Sequence, residues 1–187
     1  MNLLDLDARW RRFTDPDYRC PCCGMEMPGI YDLGYDAPDD WTHGPIPEGA
    51  EDLSVGADRL SPDLCKIGED RFLRAVLHLP IRGSDETLAI GAWAAVPPDL
   101  FYAYIDHCVD GAAFTGGTAL LANQIPTLAD EPEAGDLTAG TGAERPRLTA
   151  QDGDLAEAQT DGLSFDALLD LYAACGNDLR PHLTGTA

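Results

Sequence analysis

Arg71-Phe72-Leu73-Arg74-Ala75-Val76-Leu77-His78-Leu79-Pro80-Ile81 decides the fold class of this 187-residue chain. Leu73, Ala75, Leu77, Leu79 and Ile81 occupy alternate positions, with Arg74 and His78 between them. A β-strand sends alternate side chains to opposite faces, so this stretch is a strand with one apolar face. Gly83-Ser84-Asp85-Glu86 is a turn, and residues 87–96 are a nearly continuous apolar run around Trp93. The pair predicts a hairpin whose second strand is buried on both faces. Pro80 has no N–H for the ladder and must lie at a strand end or edge.

Beyond the hairpin, Pro97-Pro98-Asp99 opens a helix running to about Asp110, with Leu100, Phe101, Tyr104, Ile105 and Cys108 on one side. Thr118–Gln124 and Arg147–Ala150 are further strands, and residues 130–143 are loop or short strand. Asp154–Thr160 is a short helix. Ser164 caps a last helix carrying Phe165, Leu168, Leu169, Tyr172 and Cys175, closed by Gly176. Before the hairpin, Leu3, Leu6, Trp10 and Phe13 predict one amphipathic helix over residues 3–13, docking on the domain or on a second copy of it. Residues 15–64 are rich in Pro, Gly and Asp and lack periodicity, a length of irregular chain that needs something to hold it. The expected fold class is α+β: an antiparallel sheet with helices packed on one face. The expected division is an N-terminal helical extension, 1–17, and one domain, 18–187, that begins with a cysteine knuckle at 20–24.

The formal net charge is −21, from 33 acidic residues against 12 Lys and Arg. Phosphate and anionic lipid are bound by cationic patches, so nucleic acid and membrane surfaces are excluded as expected partners. A basic protein partner suits this balance, and a homo-oligomer is compatible with it. No run of 18 apolar residues spans a bilayer. Met1-Asn2-Leu3-Leu4-Asp5 has neither the basic start nor the uninterrupted apolar run of a secretory signal, so a cytoplasmic location is expected. In a reducing compartment six cysteines serve as metal ligands or buried thiols rather than disulfides.

Cys20-Pro21-Cys22-Cys23-Gly24 is the strongest chemical signal. Two thiolates three positions apart can face one ion, and the glycine clears space beside it. A tetrahedral zinc site needs four ligands. Cys20 and Cys23 supply two, and Cys65, just ahead of the first core strand, is the expected third. His43, Cys22 or a water completes the set, His43 being the residue assigned. No nucleophile elbow, phosphate-binding loop or dinucleotide fingerprint is present, and no residue is assigned as catalytic. The expected function is a non-enzymatic binding or accessory domain of immunity type with a structural zinc corner. The alternative is a small-molecule-binding protein or enzyme whose pocket lies between the sheet and residues 24–64, lined by Arg74, His78 and Trp41.

Several segments occur in the order of one known family. They are Cys20-x-x-Cys23-Gly24, Asp63-Leu64-Cys65-Lys66-Ile67, Phe72-Leu73-Arg74, Leu79-Pro80-Ile81, Gly91-Ala92-Trp93, Asn123-Gln124-Ile125-Pro126, Arg145-Pro146 and Gly162-Leu163-Ser164. Over about residues 18–176 the chain resembles the bacterial family catalogued as domain of unknown function 2199. The family often carries a histidine three or four residues after the second knuckle cysteine. Here Gly24-Met25-Glu26-Met27 stands instead. The resemblance implies a shared fold and no activity.

Overall fold

The computed structural model describes residues 2–184. The first residue of the expected extension and the last three of the expected domain lie outside the described residues. Nine strands run in chain order: β1 Leu33–Gly34, β2 Leu53–Val55, β3 Asp58–Leu60, β4 Leu64–Ile67, β5 Asp70–Pro80, β6 Thr87–Val96, β7 Gly117–Leu121, β8 Ala134–Thr138 and β9 Arg147–Ala150. Four α-helices accompany them: α1 Ala8–Thr14, α2 Pro98–Asp110, α3 Gly153–Asp161 and α4 Phe165–Ala174. Short 3-10 turns occupy Leu3–Leu6 and Arg180–His182.

The fold is α+β, but the sheet closes on itself rather than lying open beneath the helices. β5 and β6 pair antiparallel along their length, from Arg71↔Val96 to Pro80↔Thr87. On its other edge β6 takes β7 at Ala94↔Leu121, while its earlier residues accept β1 in parallel at Leu33↔Ile90. β7, β8 and β9 follow antiparallel, and β9 returns to β5 in parallel at Val76↔Arg147. Five strands thus form a barrel. β5 is 11 residues long and changes partner along its second edge. Its middle joins β9 at Val76, and its first residues pair with β4 from Leu64↔Leu73 to Ile67↔Asp70, a pairing that extends through β3 and β2 as a wing.

The alternation in the sequence explains the closure. Leu73, Ala75, Leu77 and Leu79 of β5 are buried together with Leu88, Ile90, Ala92 and Ala94 of β6, Leu121 of β7, Leu137 of β8 and Leu148 of β9. The alanines leave room for the leucines of neighbouring strands, the mixture of small and large residues that fills a narrow barrel. The opposite face of the hairpin buries Phe72 and Trp93 with Trp41, Leu60 and Cys65 in a second cluster. The second strand is therefore covered on both sides, as its composition predicts. Asn123 is buried and satisfied there. Its Oδ1 accepts from the Trp93 N–H at 2.8 Å, and its Nδ2 donates to the Ala37 carbonyl and to Asp39 Oδ1.

α2 and α4 begin where proline and serine place them. Pro98 takes the first turn of α2, and the Ser164 hydroxyl accepts from the Ala167 N–H at α4. The single helix predicted over 3–13 is broken in two. Asp7 caps α1 by accepting from the Arg9 N–H, which separates the helix from the Leu3–Leu6 turn. Leu3 and Leu6 are exposed, whereas Trp10 and Phe13 are buried against Phe165 with ring centroids 5.2 and 5.4 Å away. Among the described residues, no helix is long and apolar enough to cross a membrane.

Candidate metal centre

The knuckle is built by a tight reversal of the chain. The Cys20 N–H donates to the Met25 carbonyl and the Gly24 N–H to the Cys20 carbonyl, at 2.9 and 2.7 Å. Arg19 and Glu26 bridge across the reversal and form an ion pair at 2.8 Å. Gly24 sits at φ 75°, a left-handed conformation that glycine adopts without a Cβ penalty. The turn buries Cys20 and leaves Cys22 and Cys23 at the surface.

A fourth donor comes from the far end of the chain. The Arg180–His182 turn is anchored by Leu179 and Leu183, both fully buried. The Tyr18 hydroxyl donates to the His182 carbonyl at 3.0 Å, and Arg12 Nη1 donates to the Leu183 carbonyl. These contacts hold His182 beside the knuckle, its Nδ1 3.5 Å from Cys23 Sγ. Cys20 Sγ and Cys22 Sγ are 3.0 Å apart, and all four donor atoms of Cys20, Cys22, Cys23 and His182 lie within 4.8 Å of one another.

This set fits a tetrahedral zinc. Zn–S bonds of about 2.3 Å place two sulfurs about 3.8 Å apart, within the 4.8 Å that spans the four donors. Three sulfurs and one imidazole also match the donor preference of zinc, and four protein ligands leave no open coordination position. One thiol of the cluster, Cys20, is poised as the thiolate. The hydrogen bond from Cys22, helped by His182, pulls the Cys20 thiol from 9.0 down to about 6, and the same bond pushes Cys22 up to about 11.

The assigned ligands Cys65 and His43 are not brought to this cluster. Cys65 lies on β4 within the second apolar cluster, where burial pushes its thiol up to about 12 and keeps it protonated. His43 Nε2 instead meets Asp58 Oδ2 at 2.9 Å, with its ring edge-on to Trp41 at 4.8 Å. Cys22, one of the alternatives for the fourth ligand, does join the cluster. His182 carries no signal in the local sequence. It is 159 residues from Cys23, and no spacing motif connects the two.

Trp41, Arg74 and His78 do not share one pocket. Trp41 is a core residue whose Nε1 donates to the Gly44 carbonyl at 2.6 Å. The Arg74 guanidinium is half-buried over the Trp93 ring at 5.9 Å. His78 is exposed and lines a cleft between β5, α2 and the 139–145 loop, whose lining includes neither Arg74 nor Trp41.

A family model described as an uncharacterized protein conserved in bacteria (DUF2199) matches residues 19–163. The chain belongs to this family. The matched span contains the three cysteines of the cluster, whereas His182 lies beyond it. Met25-Glu26-Met27 follows the knuckle and offers no imidazole, and the one histidine of the donor cluster is His182. No curated protein and no solved structure gives a match.

Proposed function

We propose that the chain is a non-enzymatic binding domain whose N-terminal segment is clasped to its C-terminus by a structural zinc at Cys20, Cys22, Cys23 and His182. The observation that carries this reading is the convergence of four donors, from two distant segments, within 4.8 Å. With four protein ligands the ion has no position for an activated water, so its role is to hold structure. A cytoplasmic setting keeps the thiols reduced and available to metal.

Zinc measured by elemental analysis of untagged protein tests the clasp. We expect the wild type to carry about one zinc per chain. Cys20→Ser with Cys23→Ser should abolish binding, and His182→Gln should weaken it. Cys65→Ser should retain the metal. Equal zinc in the wild type and the double cysteine variant would end the proposal, and loss in Cys65→Ser would return Cys65 to the site.

The charge supports a basic protein as partner. At −21 the surface attracts cations over the range of a Debye length, and added salt screens that attraction. Affinity for a basic partner should therefore fall steeply between low and high salt, measured by calorimetry. Salt-independent affinity would remove charge as the driver.

A further inference from the structure

A cleft of about 900 Å³ opens between β5, the start of β9, the 139–145 loop and the later turns of α2. Its size is that of a small-molecule site. It also departs from the charge balance of the molecule. Overall, acids outnumber Lys and Arg by 33 to 12, whereas this lining matches Arg145 and Arg147 one to one with Asp63 and Glu144 and adds His78 and His107 as further polar groups.

The arginines retain unused donors. Arg145 gives its Nε to Asp63 at 2.5 Å, and Arg147 gives one Nη2 to Glu144 at 3.2 Å. Among the described residues, neither guanidinium makes a further hydrogen bond. A guanidinium has five N–H groups in a planar fork suited to carboxylate and phosphate. A third guanidinium stands close by. Arg74 shares a face of β5 with Val76 and His78, its Nε is buried without a partner, and it feels the positive charge of Arg145. Arg74 is itself drawn on by Asp36 and Asp63, so the room for an incoming anion lies in the unused N–H groups of Arg145 and Arg147.

The loop that carries Arg145 is shaped in advance. A Cβ on Gly140 would lie 2.5 Å from the carbonyls of both Glu144 and Arg145, so only glycine allows this crossing. Thr141 and Glu144 fasten it with reciprocal bonds, from the Thr141 N–H to Glu144 Oε2 and from the Glu144 N–H to the Thr141 carbonyl. The opposite wall is aromatic. Tyr104 and Phe114 meet edge to face at 5.2 Å, and His107 lies 6.0 Å from Phe114. His107 Nδ1 donates to the Ala112 carbonyl at 2.6 Å, which leaves Nε2 as the free ring nitrogen.

We propose that this cleft binds a small organic anion with a planar, apolar body, its carboxylate or phosphate held by Arg145 and Arg147 and its ring against Tyr104 and Phe114. This site is separate from the sulfur cluster and does not depend on zinc.

The test is an NMR titration of the full-length, zinc-loaded protein with benzoate, phenyl phosphate, inorganic phosphate and benzyl alcohol. Benzoate or phenyl phosphate should shift amides within residues 104–114 and 139–147. The stronger of the two identifies the anionic group. Inorganic phosphate should bind more weakly, because it lacks the ring. Arg145→Gln with Arg147→Gln replaces two surface side chains and should keep a native spectrum while losing about tenfold or more in affinity, the scale of a lost charge-assisted hydrogen bond. The proposal is overturned if no ringed anion shifts these amides at millimolar concentration. It also fails if benzyl alcohol shifts them equally, or if the double variant binds as the wild type does.

Discussion

Cys20 and Cys65 are both buried, with 3% and 1% of their surface exposed, yet their thiols are driven in opposite directions. Around Cys65 the side chains of Trp41, Leu60, Phe72 and Trp93 exclude water, so desolvation first and the charge of Asp58 second disfavour the thiolate. Around Cys20 a Cys22 S–H and the His182 ring stabilise it. The sign of the pH dependence follows. A thiol whose folded pKa lies below its unfolded value contributes full stability above about pH 9, lost as the pH falls through about 6. Metal binding runs the same way, because each proton returned to sulfur displaces a zinc bond. We expect zinc occupancy to hold at neutral pH and to fall on acidification, followed with a chromophoric chelator. Occupancy that rises on acidification would exclude thiolate ligands. At this scale the sequence was half legible. The Cys20–Cys23 spacing and Gly24 announce a metal turn through local geometry alone. His182 reaches the turn only through tertiary packing of Leu179 and Leu183, and Cys65 looks like a ligand until Trp41 and Phe72 are seen to enclose it.

The elements divide along the same line. β5, β6, α2, α3 and α4 were legible because their apolar residues recur at regular steps or in one run, and Pro80, Pro98, Ser164 and Gly176 mark several of their ends. β8 hides in an acidic, glycine-rich stretch where only Leu137 is large and buried. The closure of the barrel was not legible, because its last step is a parallel pairing of Val76 with Arg147 that no short-range pattern encodes. Gly116 shows how little space this closure leaves. It stands at φ 74° just before β7, and a Cβ there would lie 1.9 Å from the Leu137 carbonyl oxygen of β8. Gly116→Ala should therefore disrupt the start of the β7–β8 pairing and cost more than about 2 kcal/mol, combining backbone strain with a steric clash. Gly56→Ala is the control. Its φ is also positive, at 62°, but nothing lies within 4 Å of the added carbon, so it should cost about 1 kcal/mol. Urea unfolding of the two variants distinguishes them. Equal losses would mean that β8 yields to the new methyl and that the barrel seam is loose.

On the scale of the whole molecule, the segments around residues 8–24 and 179–183 come together. α1 docks through Trp10 and Phe13 on α4, the knuckle follows it, and the Arg180–His182 turn closes over both. Linking Cys23 to His182 constrains 159 residues of sequence, and the loop-closure relation puts the stabilisation from such a cross-link at no more than about 5 kcal/mol. The realised value should be smaller, because the apolar contacts of α1 and Leu183 hold the ends near each other without metal. The barrel draws its stability from a different source, the interlocked side chains of five strands. Chelation should therefore separate the two. We expect removal of zinc to speed hydrogen exchange at residues 15–27 and 177–184 while the amides of β5 and β6 keep their protection. Loss of protection throughout β5 and β6 would make the metal a condition of folding rather than a clasp. Exchange unchanged everywhere would mean that the two ends are held by apolar packing alone.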